Sequence, residues 1–345
     1  MKVVIIGWTS GFGKWLAWYI KKYFDVNVIV TWTNEEKAKK VANELNINYS
    51  LNNIEVVKDA DIVIFSVPIS LMEQTIKEVW PYINPTAIVA DVCSIKWFVY
   101  DALNTYCPKS CTIIPTHPMF GPYIQDIVDQ VIVLTPSEKV KNTEVYRNFK
   151  KFLKEKWAKT IETTPDYHDK LMAVVQWLTH ITMFMIGETI RRLNVPVEET
   201  LKFVSPVYKL LISSVLRYVG HDPKLYWDIQ MYNSKVLEVH SKMMEVIWDF
   251  NKMVLNKDES KFISTIEATK NFMWDKNCKI GQLYTDKIIY LLAEQKDKFD
   301  KNIWKIVKLK NIYTGELIED KILKIEDDKV FLEKTWEISL YEFII

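Results

Sequence analysis

Three of the chain's eight glycines, Gly7, Gly11 and Gly13, fall within seven residues, directly after the apolar run Lys2 to Ile6 and at the start of a stretch with helical spacing. No other feature constrains the fold as much. A strand that turns into a helix over residues without Cβ brings backbone close to a phosphate, and the free amides and positive dipole of the helix start favour the anion. Counted from Gly7 the spacing is G-x-x-x-G-x-G. Laid instead as G-x-G-x-x-G on positions 8, 10 and 13, it has Trp8 and Ser10 where glycines belong, and only Gly13 matches. Thr9 and Ser10 offer hydroxyl donors to the same phosphate.

The strand-helix rhythm continues to about residue 160. Strands are expected at Lys2 to Ile6, Val26 to Thr31, Asp61 to Val67, Ala87 to Val92, Thr112 to Pro115 and Val131 to Leu134. Phe12, Leu16, Tyr19, Ile20 and Tyr23 recur at helical spacing, and Asn34 opens a second helix that runs to Leu45 with Glu35 in its first turn. This is the plan of a doubly wound, Rossmann-like α/β domain over residues 1–163. From Asp166 to about Phe299 the apolar period is 3.6, which predicts an all-α domain over residues 164–299. Leu171 to Ile190 is apolar almost all round but interrupted by Gln176, His180 and Glu188. It reads as a buried helix rather than a membrane span, with a second subunit covering part of it. Residues 300–345 alternate apolar and polar positions around Tyr313 to Gly315 and Asp327-Asp328, a small β-rich appendage.

Forty-five Lys and Arg against 44 Asp and Glu leave a net charge of +1, which gives no electrostatic reason to expect nucleic acid or a membrane surface as partner; the ligand should be small. Arginine occurs only at 147, 191, 192 and 217, so bidentate clamps for a carboxylate are scarce. Cys93, Cys107, Cys111 and Cys278 form no CxxC pair and no His-bearing set. A reducing compartment and no metal are expected. The opening MKVVIIG lacks the parts of a signal peptide, and the expected location is the cytoplasm.

Loops that follow strands in a doubly wound sheet line one crevice. Here they carry Ser66-Val67-Pro68, Asp91-Val92-Cys93-Ser94-Ile95-Lys96 and Thr116-His117-Pro118-Met119-Phe120-Gly121-Pro122. Gly7, Thr9, Ser10, Gly11, Phe12, Gly13, Ser66, Val67 and Pro68 are the candidate cofactor contacts. At the end of the second strand, where an acid would meet a ribose 2′-hydroxyl, the chain has Thr31, Trp32, Thr33 and Asn34. Thr31, Thr33 and Lys37 would tolerate a 2′-phosphate, so the cofactor is NADP or NAD with a tilt to NADP. His117 suits the chemistry best, because oxidising an alcohol requires a base for the hydroxyl proton as hydride leaves.

The glycine-rich start, SVP, DVCSIK, THPMFGP, the His168-Asp169 pair followed by His180, and the long helical second half together resemble the prephenate dehydrogenase family, with arogenate dehydrogenase as its close variant. The match covers most of the chain. The resemblance implies a nucleotide-binding domain, a helical dimerisation domain forming a homodimer, and NAD(P)-dependent oxidation of a cyclohexadienol that loses CO2 and becomes aromatic. It implies that His117 accepts the ring hydroxyl proton, that Ser94 orients that histidine, and that His180 is a substrate-side residue. His168, His221 and His240 read as ordinary surface or capping residues.

The chain also departs from the family pattern. Many relatives place an arginine before the aspartate where this chain has Trp227-Asp228, so the partner of the substrate carboxylate is open among Lys96, Arg217 and Lys224, with Gln176 as a neutral donor. Two rival readings remain. A short-chain dehydrogenase is suggested by Tyr146 and Lys150 at Y-x-x-x-K spacing, although Val133 stands where its serine belongs. A non-catalytic metabolite-binding dimer is suggested by Trp8 and Trp227, and would have an occluded pocket.

Overall fold

The computed structural model describes residues 1–7, 11–326 and 328–345. Trp8, Thr9 and Ser10 lie outside the described residues. An eight-stranded sheet has the order β3-β2-β1-β4-β5-β6-β7-β8 and is parallel except between β6 and β7. The strands are β1 Lys2–Ile6, β2 Asn27–Thr31, β3 Asn48–Ser50, β4 Ile62–Phe65, β5 Ile88–Asp91, β6 Thr112–Pro118, β7 Val131–Leu134 and β8 Lys159–Glu162. The doubly wound plan is therefore present, and the strand order reverses between β1 and β4, where such sheets bind ligands. The short polar β3 and the fully exposed edge strand β8 add two strands that apolar patterning does not reveal.

Alternation along the strands divides the core. Val4, Ile6, Val63, Phe65 and Val89 pack with helices α3 Asn53–Val57, α4 Met72–Val79 and α5 Trp97–Tyr106. On the other face lie α1 Phe12–Tyr23 and α2 Glu35–Leu45, with Ile5, Ala17, Val30 and Val41 in contact. The short α6 Glu138–Lys141 and the amphipathic α7 Glu144–Glu155 complete the cover through Tyr146 and Leu153. Asn34 caps α2 by accepting from Lys37 N at 2.9 Å. β6 runs three residues beyond the strand expected from sequence. Its extension pairs antiparallel with β7, Thr116 opposite Leu134 and His117 opposite Val133, so His117 sits in a strand rather than a loop.

The helical half begins with α8 Pro165–Met172, started by the Thr164 cap and Pro165, and passes through a π-turn at Ala173–Leu178 into α9 Thr179–Arg192. Then come α10 Val197–Leu201, α11 Pro206–Val219, α12 Pro223–Tyr232, α13 Val236–Leu255, α14 Glu259–Met273 and α15 Asp275–Lys301. The sequence predicts a buried helix over Leu171 to Ile190, but Leu171, Val174, Val175 and Met185 are exposed in the single chain. Among the described residues, Pro165–Arg192 is long and apolar enough to cross a membrane by composition, with mean hydropathy 1.2 and 22% of its apolar window buried.

The chain ends in a five-stranded antiparallel sheet, order β12-β11-β10-β9-β13, formed by β9 Ile306–Asn311, β10 Leu317–Glu326, β11 Lys329–Leu332, β12 Trp336–Ser339 and β13 Phe343–Ile344. Its own core holds Phe299, Leu309, Ile322, Val330 and Leu332. Two compact units result. One is Met1–Met185 with Tyr218–His240; the other is Ile186–Arg217 with Ser241–Ile345. The helices α8 and α12 thus belong with the parallel sheet. Two buried carboxylates tie them there. Asp169 accepts from Lys96 N at 2.8 Å and Trp97 N at 2.9 Å, at the start of α5, and Asp228 accepts from Ser70 N at 3.1 Å and Ser70 Oγ at 2.7 Å, just before α4.

Candidate active site

The glycine turn is held by its neighbours. Gly7 has φ +85° and a Cβ there would stand 2.3 Å from Val67 Cγ1, so the loop after β4 presses on the loop after β1. Gly11, at φ +80°, starts α1 with no side-chain cap, which leaves the first amides of the helix for another acceptor. This donor set, at the reversal between β1 and β4, fits the phosphates of a dinucleotide. Gly13 is buried in α1 and Phe12 is half-buried against Trp15 and Phe120. Ser66 is buried, Val67 and Pro68 half-buried, and Thr33 exposed. Thr31 is a correction. Its buried hydroxyl accepts from Gly7 N at 3.3 Å, so it supports the turn instead of facing a 2′-phosphate.

The next strands deliver a buried polar cluster. Asp91, the last residue of β5, pairs with the Lys96 ammonium, and Asp91 Oδ1 also accepts from Cys93 N at 2.8 Å. Lys96 Nζ donates as well to the Thr116 carbonyl at 2.6 Å, and Thr116 Oγ1 donates to the Asp91 carbonyl at 2.6 Å. Lys96 is fully buried and spent on these partners, so the expectation that it holds a substrate carboxylate is not met. Burial pushes the Cys93 thiol up to about 12, which removes it as a nucleophile.

His117 is 3% exposed, and its Nδ1 lies 2.8 Å from His168 Nε2; His168 Nδ1 lies 2.7 Å from Asp169 Oδ1. The side chain of Gln176, displayed by the π-turn, places Nε2 3.4 Å from His117 Nε2. Irregular turns of this kind recur where a helix must aim a side chain. Burial, then the charges of His168 and Lys96, hold His117 well below the usual imidazole range, and burial also lowers His168. His168 is therefore no surface residue. Sequence reasoning missed its burial against His117 and Asp169, although Thr164-Pro165 marks a helix start that sets both His168 and Asp169 in the following turn.

His180 is buried with its ring 5.0 Å from Tyr226 and 5.1 Å from Tyr218, and its Nδ1 has no hydrogen-bond partner among the described residues. Burial lowers it to about 4. Ser94 is half-buried on the loop after β5. Arg217, exposed in the last turn of α11, belongs to the second compact unit. Trp227 is 61% exposed, so it does not plug a pocket, whereas Asp228 beside it is buried on Ser70.

A cavity of about 460 Å³ opens on the α1 and α7 side of the sheet, lined by Phe12, Trp15, Ile64, Thr116, Pro118 and Phe149 among others. Successive strand residues point to opposite faces, so Thr116 and Pro118 turn toward that cavity and His117 away from it. Its hydrocarbon lining would also desolvate an anion without compensation. His117 and its hydrogen-bonded partners lie on the opposite side of the strand. Tyr146 donates to Glu162 at 2.7 Å and Lys150 to the same carboxylate at 2.9 Å; that pair is a strut between α7 and β8, and the short-chain dehydrogenase reading falls.

A family model described as the prephenate dehydrogenase nucleotide-binding domain matches residues 16–162, and one described as the prephenate dehydrogenase dimerization domain matches residues 164–268. The chain belongs to the prephenate dehydrogenase family. A relative named probable arogenate/prephenate dehydrogenase, from Methanocaldococcus jannaschii, is 41% identical over 335 residues, 97% of this chain and 74% of its own length. The solved prephenate dehydrogenase of A. aeolicus, in complex with hydroxyphenyl propionate and NAD+, superposes with a TM-score of 0.64 at 19% identity over 81% of this chain and 98% of that one. Synechocystis arogenate dehydrogenase does so with a TM-score of 0.58 at 20% identity, covering 79% and 98%. This family member is thus an NAD(P)-dependent dehydrogenase, and the non-catalytic reading is set aside.

Proposed function

We propose that the protein is a prephenate dehydrogenase of tyrosine biosynthesis, oxidising prephenate with loss of CO2 to 4-hydroxyphenylpyruvate. The observation that carries this reading is His117, buried and neutral at the carboxyl end of β6, with its Nε2 beside Gln176. NAD or NADP, held at the Gly7 and Gly11 turn, would supply the acceptor for the hydride on the ring carbon that bears the hydroxyl. His117 Nε2 takes the hydroxyl proton, and departure of CO2 completes an aromatic ring, which makes the step effectively irreversible. Ser94 and Gln176 orient the hydroxyl and the imidazole, and His180 contacts the far side of the substrate. Burial of His117 and His180 excludes water and strengthens their polar contacts.

Arogenate would pass through the same chemistry, since its difference lies away from the ring hydroxyl. The reading also takes the protein to be a cytoplasmic homodimer joined through its helical half, with no nucleic-acid or membrane partner. Four assays test the substrate and cofactor: prephenate and arogenate, each with NAD and with NADP, followed by absorbance of the reduced cofactor. Turnover of prephenate is expected. Reduction with neither substrate would overturn the reading.

A further inference from the structure

Asp169, His168 and His117 lie in one hydrogen-bonded line, and carboxylate chemistry fixes where each proton must be. We propose that His168 and Asp169 are positioning residues that hold His117 in the tautomer whose Nε2 carries the lone pair, and that His168 receives the positive charge that proton uptake creates. The proposal rests on reading His117 as the base.

An ionised carboxylate only accepts, so His168 Nδ1, 2.7 Å from Asp169 Oδ1, carries a hydrogen. A neutral imidazole has one hydrogen, so His168 Nε2 is bare and accepts. His117 Nδ1, 2.8 Å away, must then donate, and His117 Nε2 is left with its lone pair. The Gln176 amide nitrogen stands 3.4 Å from that lone pair, a long contact that a substrate hydroxyl would replace. The charges facing the line are the Lys96 ammonium and its Asp91 partner, which disfavour and favour imidazolium respectively, together with Asp169 itself.

Asp169 cannot turn away from this task. Its Oδ1 also accepts from Lys96 N, its Oδ2 from Trp97 N, and its carbonyl accepts from buried Asn233 Nδ2 at 2.8 Å. In the reaction, the substrate O–H bond breaks as an N–H bond forms at His117 Nε2. The Nδ1 hydrogen of His117 moves to His168 Nε2, leaving His117 neutral and His168 protonated on both nitrogens against the carboxylate. No proton passes to Asp169.

Nitrogen-15 spectra of the full-length protein with labelled histidine, assigned through His117→Asn and His168→Asn, read the tautomers directly. At neutral pH both Nε2 atoms are expected bare and both Nδ1 atoms protonated. Asp169→Asn keeps an oxygen toward His168 Nδ1 and Lys96 N but removes the negative charge, so the tautomers should hold while imidazolium at His168 loses its counter-charge. Turnover should then fall about 100-fold or more, with cofactor affinity and substrate KM within about threefold, and the acid limb of the residual pH profile should move to lower pH. A purely structural Asp169 would leave turnover and profile unchanged. A bare His117 Nδ1 in the wild type overturns the proposal, as does an Asp169→Asn enzyme with wild-type turnover and profile. The wild-type spectrum decides even if the variant does not fold. It does so too if neither substrate is turned over, the result that would sink the proposed function instead.

Discussion

At the scale of single residues, the buried histidines make stability depend on pH. His180 has its proton affinity lowered from 6.5 to about 4 by burial. The unfolded chain therefore takes up a proton below pH 6.5 that the native state refuses until about pH 4, and stability falls as pH drops through that window. Between pH 7.5 and 5.5 this one group should cost about 1 kcal/mol. Denaturant unfolding of the wild type and His180→Phe at both pH values tests this: the variant should lose about 1 kcal/mol less on acidification. Equal losses would mean that His180 is charged in the native state. Gly7 and His117 stand in distinctive sequence settings, a glycine after a strand and an imidazole before proline, whereas Gln176 read only as a neutral donor for a carboxylate and lies instead beside His117. The states of Lys96, Thr31 and His168 were not. Whether a lysine faces a ligand or a buried aspartate depends on side-chain direction at a strand end, which spacing does not encode.

At the scale of elements, the turn between β1 and α1 depends on contact between two loops. Gly7→Ala meets Val67 at 2.3 Å and strains a φ of +85°, so it should destabilise the protein by about 3 kcal/mol and weaken cofactor binding with it. Adding Val67→Ala should recover the steric part and leave the backbone part, measurable as a partial return of the unfolding midpoint. A Gly7→Ala protein of wild-type stability would show that the loops are not in contact. Six of the eight strands of the large sheet and the first two helices follow from apolar period and capping residues. The extension of β6 does not, because it is created by pairing with β7 some fifteen residues later in the chain. Likewise the π-turn that aims Gln176 leaves no mark in a period count.

At the scale of the whole molecule, a single chain leaves Leu171, Val174 and Val175 in water along a helix too apolar for that environment. Sedimentation at micromolar concentration should show a dimer, and Val175→Lys should shift it toward monomer without altering the parallel sheet. A monomeric wild type would remove this reason for the exposed stripe. The two-part plan was visible in the change from alternating units to unbroken helical period. The attachment of α8 and α12 to the parallel sheet was not visible, since it is made by Asp169 and Asp228 reaching across many residues to the starts of other helices. The proposed reaction depends above all on the buried imidazole of His117. The most direct measurement compares prephenate-dependent cofactor reduction by the wild type and His117→Asn across pH. Cofactor binding should stay near normal while turnover drops about 100-fold or more. Undiminished turnover in the variant would contradict the account.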